Sequence, residues 1–599
     1  MRALLVGSIA SAKHAYQDNL MNTYVHWVTY RPGTALYCRD QLGVTCIDLN
    51  SYLSITEPAD IFYNAFPIFT ELLLDLDKTN ASALNGMHLP PDLNWYFTFR
   101  MEGLTEYSGL IAFDTALRRY LATTRISHLS LYESIAPAKK SLFGNLRLQI
   151  LNDATAASNV TFNVHLSSRR RKLRAPFGDL NKIKVKASLI LNSMKFLRNI
   201  VLTITQAYFT PRNSPILIFE PQYELNYLPL GNRQKIIVRF LQAGNHLPAW
   251  APYMRARTPQ QLPASSIDFD RHNNLPYANL VAELMTDYLR QHIHEFDAAL
   301  RLTEYAVRRY KIKTAVWGNS PCEISPRSVV TDYLRKLGVC VIGIQHGANY
   351  GTVNRFDAVH TMLDYLSCDK FLCYGKHNLE VGYIPKTGFQ PATMIATGSL
   401  KCHAISKIQS TLEVSKIDIL FPMDISCDLL MGDVYPPCNL VLARQVQILN
   451  YLESSTASVV LKLVRDSLRN RQWREQYFQA YNTVKQLRNC TVNDKLSLTD
   501  ALAYYRPKLV LLENLSTPLT DCVFQDVDII LFVNPFTIKD NVRFLLEKRV
   551  HLADTFDAFM ELLALYLSGH LPKLRNSEFY DTQVCPPGNA FNRALAILQ

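Results

Sequence analysis

The chain has neither of the glycine-rich loops that most often cradle phosphates. No Gly-x-x-x-x-Gly-Lys-Ser/Thr and no Gly-x-Gly-x-x-Gly occurs in its 599 residues, which excludes a P-loop nucleotidase and a standard dinucleotide enzyme. Glycine and proline are sparse, at 22 and 29 residues, and no short-period repeat is visible, so disordered, collagen-like, solenoid and propeller architectures are excluded. The 12 cysteines include no Cys-x-x-Cys pair and none between Cys46 and Cys322, so they form neither a zinc-site pattern nor a disulfide framework. Cys340 and Cys373 sit inside apolar strand-like runs as small hydrophobes, and the expectation is a reducing cytoplasm. No uncharged apolar run reaches the roughly 18 residues of a membrane span. The short apolar start, Ala3 to Ser8, reads as a first buried strand rather than a signal peptide, because only one charge precedes it. His292-Ile293-His294-Glu295 lacks the spacing of a zinc-protease helix, and the Asp-x-Asp pairs at Asp75/Asp77, Asp268/Asp270 and Asp526/Asp528 are too common a pattern to predict a metal.

At 48% hydrophobic residues the chain has the apolar content of a globular protein, and it is too long for one core. The formal net charge is +12, and it is concentrated: Arg169 to Lys186 holds eight basic residues and one acid. A nucleic-acid binder would spread its basic residues over a face, so that class is not expected. Arg169, Arg170, Arg171 and Lys172 lead instead into an amphipathic stretch, Ala187 to Tyr208, the combination of an interfacial helix on an anionic membrane surface or at an acceptor.

Short apolar runs alternating with helical periodicity predict parallel sheets. The expected fold is α/β, two doubly wound Rossmann-like domains facing a cleft: residues 1–365, with a basic insertion at about 150–212, and residues 366–599, with six strands from Lys370 to Val533. Ligands of such sheets bind beyond the carboxyl ends of the strands. There the chain places Glu133, Glu220, the turn Gln345-His346-Gly347, the cationic strand end Lys462 to Arg465, and Glu513 followed by Ser516-Thr517. His346 can take a hydroxyl proton or donate to a phosphate, Lys462 and Arg465 suit phosphate, and Ser516-Thr517 can open a helix or hold a ligand.

The segments Ile344-Gln345-His346-Gly347-Ala348-Asn349-Tyr350-Gly351, Cys368 to Gly375 and Ala396-Thr397-Gly398-Ser399 occur in an order that resembles bacterial surface-polysaccharide (capsule or lipopolysaccharide) glycosyltransferases of the GT-B class. Lys462 and Ser516 to Asp521 match the same family's nucleotide-binding half, and the resemblance covers roughly residues 300–540. It departs at Val464-Arg465, where many relatives carry His-Pro, and at Asp521, where Glu is usual. The resemblance implies transfer of a sugar from a nucleotide sugar to a polysaccharide or lipid-linked glycan, without cofactor or metal. His346, Glu133 or Glu220 would be the base, and Gln345, Gly347, Gly398, Ser399, Lys462, Arg465, Glu513, Ser516, Thr517 and Asp521 would hold the donor. A polyol-phosphate transferase, a sugar-nucleotide epimerase and a non-catalytic assembly subunit are the alternatives. The expected location is the cytoplasm, at the inner membrane face.

Overall fold

The computed structural model describes residues 1–86, 93–133, 144–166, 216–219, 223–228, 230, 235–238, 275–318, 320–321, 325–379, 390–405, 415–423, 438–465, 483–484, 486–533 and 537–598. Three parallel sheets organise them. The first contains β1 (Arg2–Val6), β2 (His26–Thr29), β3 (Cys46–Asp48), β4 (His128–Glu133) and β5 (Thr161–Leu166), in the order β3-β2-β1-β4-β5. The second contains β6 (Ile216–Phe219), β7 (Lys235–Val238), β8 (Thr314–Trp317), β9 (Cys340–Ile344), β10 (Lys370–Cys373) and β11 (Thr393–Ala396), in the order β11-β10-β9-β8-β6-β7. The third contains β12 (Ile419–Pro422), β13 (Val459–Lys462), β14 (Cys490–Asn493), β15 (Leu509–Leu512), β16 (Asp528–Phe532) and β17 (His551–Ala553), in the order β14-β13-β12-β15-β16-β17. The last is the strand order of a doubly wound dinucleotide-type sheet.

Strands β6, β12, β13, β15 and β16 are buried throughout, as continuous apolar runs between helical layers should be. Connecting helices begin where the local chemistry favours it. Ser8, Ser497 and Thr555 each accept a hydrogen bond from the backbone N–H three residues on, and Pro32 opens the helix after β2.

The expected pair of doubly wound units is present as the second and third sheets, but its boundaries need correction. Within residues 1–166 strands β1 to β5 form a sheet of their own, whose helical layer also takes in Val281, Met285 and Phe296, and the segment after residue 150 belongs to it: Thr161–Leu166 pairs along the whole of β4. Its alternating Thr-Phe-Asn-Val-His-Leu pattern, with Val164 exposed, is that of an edge strand rather than a buried run. A division at residue 365 would separate β9 from β10, which are hydrogen-bonded neighbours (Lys370 opposite Ile342), so the second unit ends beyond β11. The terminal helix Ala590–Leu598 also returns to it, packing Ala590, Ala594 and Leu598 against Ile216, Ile218, Ile342 and Ile344. The basic cluster Arg169 to Lys172 and the stretch 187–208 lie outside the described residues. Among the described residues no helix is long and apolar enough to cross a membrane.

Candidate active site

The carboxyl ends of the second and third sheets meet. Thr517 Oγ1 donates to the carbonyl of His346 at 2.8 Å across 171 residues of sequence, which brings together the two segments singled out as ligand-facing. Gly347 makes this approach possible, because a Cβ there would lie 2.8 Å from Asn349 Oδ1 and 3.4 Å from Thr517 Oγ1.

The turn after β9 is held by the buried Gln345, whose Nε2 donates to the Gly347 carbonyl at 2.8 Å while its Oε1 accepts the Tyr374 backbone N–H at 2.9 Å. Gln345 therefore braces the turn against the end of β10. His346, partly exposed, lies 3.1 Å through Nδ1 from the Tyr350 hydroxyl, which donates to Asp364 at 2.8 Å. Burial lowers the His346 pKa to about 4, a hydrogen bond with the Ile344 carbonyl offsetting it only in part, so the imidazole is neutral at pH 7.

Beside this turn the chain buries an acid that the sequence reading passed over. Glu224 accepts from the Tyr374 hydroxyl at 2.7 Å, the Ser399 hydroxyl at 2.8 Å and the Lys401 backbone N–H at 2.8 Å. Ser399, expected at the donor, is thus buried against Glu224. Gly398, in the left-handed region at φ 85°, lies against the Arg593 guanidinium of the terminal helix. Asp521, expected to accept ribose hydroxyls, is buried with both oxygens on Lys401, at 2.6 and 2.7 Å. Burial raises Asp521 and Lys401 pulls it back part of the way; Asp521 in turn outweighs burial at Lys401 and lifts its pKa. This pair joins the second unit to the third. Glu224 lies four residues beyond Glu220, and Lys401 two beyond the Thr-Gly-Ser turn, but nothing in their spacing distinguishes them from surface charges.

On the third sheet, Lys462 ends β13, buried, with its ammonium on the Leu463 carbonyl. Burial lowers its pKa to about 8, against a nearby Asp494. Arg465, three residues on, is exposed. Glu513 leaves β15 and accepts from Gln445 Nε2 at 2.8 Å, and Ser516 precedes the helix Thr517–Cys522 without using its side chain as a cap. Glu133 is the last residue of β4, in the first sheet, and its side chain is outside the described set, as is the whole of Glu220, which directly follows β6.

Two of the three Asp-x-Asp pairs are occupied by other work. Arg575 bridges Asp526 and Asp528, and Asp77 accepts the backbone N–H groups of Tyr96 and Phe97. Among the described residues no three His, Cys, Asp or Glu side chains are grouped as a metal site.

A family model described as "LIC12162 family transferase" matches residues 147–543, about two-thirds of the chain, including all of the second sheet and five of the six strands of the third. The chain belongs to this transferase family. No curated protein matches it in sequence. Among solved structures, the transferase is similar to Methanocaldococcus jannaschii UDP-GlcNAc 2-epimerase in complex with UDP-GlcNAc and UDP, at 11% identity, 64% of this chain, 98% of that one and a TM-score of 0.38. It is also similar to S. aureus MnaA with UDP, at 8% identity, 64% and 95% coverage and a TM-score of 0.38. A variant of Os79 from O. sativa in complex with UDP matches at 12% identity, 66% and 94% coverage and a TM-score of 0.36.

Proposed function

We propose that this transferase moves a sugar from a nucleotide-activated donor to a hydroxyl of a surface-polysaccharide or lipid-linked glycan acceptor, without a metal. The observation that carries the reading is the hydrogen bond of Thr517 to the His346 backbone carbonyl, which joins the turn that carries a neutral imidazole to the Ser516-Thr517 segment where two parallel sheets end. The acceptor hydroxyl gives its proton to the base, its oxygen bonds to the anomeric carbon, and the carbon–oxygen bond to phosphate breaks with the electron pair leaving on the nucleotide. Lys462 and the Ser516 hydroxyl stabilise that developing charge. His346 is the leading base. Glu133 and Glu220 stay as the alternatives, each at a strand's carboxyl end. Peripheral attachment through Arg169, Arg170, Arg171 and Lys172 to an anionic inner leaflet belongs to the same reading, since a lipid-linked acceptor would be presented there.

Incubation of the protein with a panel of nucleotide sugars, with and without lipid-linked glycans, tests the proposal. Release of nucleotide that depends on acceptor is the expected result. Inversion at the sugar without nucleotide release would make it an epimerase, and no turnover or binding of any donor would leave a non-catalytic subunit. Under this metal-free reading EDTA should not change the rate.

Removing the charge at Lys462 or the hydroxyl at Ser516 should weaken donor binding. Charge-assisted hydrogen bonds contribute about 1.5–3 kcal/mol, so Lys462→Ala is expected to raise the donor Kd by roughly 10- to 150-fold. Ser516→Ala should raise it less. Because Lys462 is cationic only below its pKa of about 8, wild-type affinity should fall above pH 8 and that of Lys462→Ala should not. Calorimetric titration of the donor nucleotide at pH 7 and pH 9 reads both effects, and equal affinity of wild type and variant at pH 7 would remove Lys462 from the site.

A further inference from the structure

The turn after β9 is fastened to the third unit at its exit as well as at its entry. Thr517, beyond β15, holds the His346 carbonyl at the entry. Beyond β16, the neighbour of β15 in the third sheet, Ile538 forms an antiparallel bridge with Val353, and the Lys539 N–H donates to the Thr352 carbonyl at 3.0 Å. Val353 and Ile538 are both buried. Thr352 passes the restraint back into the turn, because its hydroxyl donates to the Ala348 carbonyl at 2.8 Å.

The helix that leaves the turn, Asn354–His360, is gripped by the same strap. Its Asp357 pairs with Lys539 at 2.8 Å, with the Asp357 side chain 4% and the Lys539 side chain 17% exposed. The same helix carries Arg355, paired at 2.7 Å with Asp60 on the helix Glu57–Gly86, but those side chains are 39% and 45% exposed. An exposed pair contributes little, whereas a buried one is costly to leave half-made and so fixes a register. The Lys539 pair therefore sets where this helix begins. At its far end the π-helical turn Thr361–Tyr365 continues the helix and brings Asp364 to the Tyr350 hydroxyl, which ties the segment back to the turn.

We propose that Lys539 and Asp357 are positioning residues: the strap Ile538–Lys539 fixes the His346 turn to the unit that holds the donor. Lys462 and Ser516 belong to that same unit, so the strap sets the placement of the base relative to the groups on the phosphate. Lys539 is not itself a donor ligand, because its ammonium is buried on Asp357. The proposal rests on the reading of His346 as the base, and it goes beyond it by naming the residues that place it.

Hydrogen exchange of the full chain, read by mass spectrometry on peptides covering residues 346–353, measures the fastening without any substrate. In Lys539→Met, exchange there should quicken roughly tenfold or more. With the donor and acceptor found active in the nucleotide-sugar panel, kcat should fall about 10- to 100-fold, the usual loss when a reacting group is displaced by about 1 Å, and the donor KM should not change. The fold should persist in this variant, because burial already favours the protonated form of Asp357. The reversed pair Asp357→Lys/Lys539→Asp should recover part of both losses. Unchanged exchange in Lys539→Met, or in Asp357→Asn if the first variant fails to fold, overturns the proposal, as does a reversed pair no better than Lys539→Met. Quickened exchange with undiminished turnover overturns it too, and His346→Ala then separates the two readings: a rate loss there keeps His346 as the base without the strap, and no loss removes His346 from the chemistry.

Discussion

Replacing Asp521 by alanine should destabilise the joint between the second and third units by about 3–5 kcal/mol. The Lys401 ammonium is 17% exposed and the Asp521 carboxyl 5%, so truncating the acid leaves a buried cation facing a cavity rather than water. The same pair in water would contribute little, and its importance here comes from the cost of stranding one partner. Lys401→Met should cost less than Asp521→Ala, because burial already favours the protonated, neutral carboxyl. The double variant Lys401→Met/Asp521→Ala should be more stable than Asp521→Ala alone, and the coupling in the cycle should exceed about 1 kcal/mol. Urea unfolding followed by tryptophan fluorescence and by proteolysis between residues 400 and 420 would report it. A loss below about 1 kcal/mol for Asp521→Ala would show that Lys401 transfers its bond to Glu224, whose charge is already near it.

This pair also marks where sequence reasoning stopped. A buried strand announces itself through composition, and β6, β9, β12, β13, β15 and β16 were all readable as uninterrupted apolar runs; the acids, cations and hydroxyls just past their carboxyl ends were readable for the same reason. Which sheet a strand joins is not written in the strand. Phe371-Leu372-Cys373 would suit either unit, and only its register against Gly343 and Ile344 assigns it to the second. β2 escaped because His26-Trp27-Val28-Thr29 is four residues long and opens with a polar ring. Within the site, His346, Lys462 and Ser516-Thr517 could be named because each lies at or within a few residues beyond a strand's carboxyl end. Glu224, Tyr350, Asp364 and Lys401 could not, since their roles arise from contacts made across up to 177 residues or through a π-helical turn. The same distances explain why Ser399 and Asp521, expected to face a ligand, face Glu224 and Lys401 instead.

His346→Ala should reduce transfer by about 10²- to 10⁴-fold, the usual loss for a general base, and the loss should lie toward the lower end of that range. An imidazole whose pKa is held near 4 is a weak base, so the acceptor proton would leave mainly as the donor's phosphate bond opens. The low pKa gives the claim a second signature. If neutral His346 is required, the acid limb of kcat/KM should fall near pH 4 and not near 6.5, the value of an exposed histidine. Stability should follow the same group in a defined direction. Between pH 6.5 and about 4 the unfolded chain binds a proton at His346 that the folded chain refuses, so folding weakens as pH falls through that window, by up to roughly 3 kcal/mol from this residue. His360, also neutral in the fold, adds to the wild-type slope, and the difference between wild type and His346→Gln isolates the one group. Near-normal turnover of His346→Ala would end its candidacy and pass the role to Glu133 or Glu220. A rate loss in the variant together with wild-type activity that falls as pH rises, and no acid limb near pH 4, would mean that His346 binds the phosphate as a cation, its donor-bound pKa raised by the charge beside it.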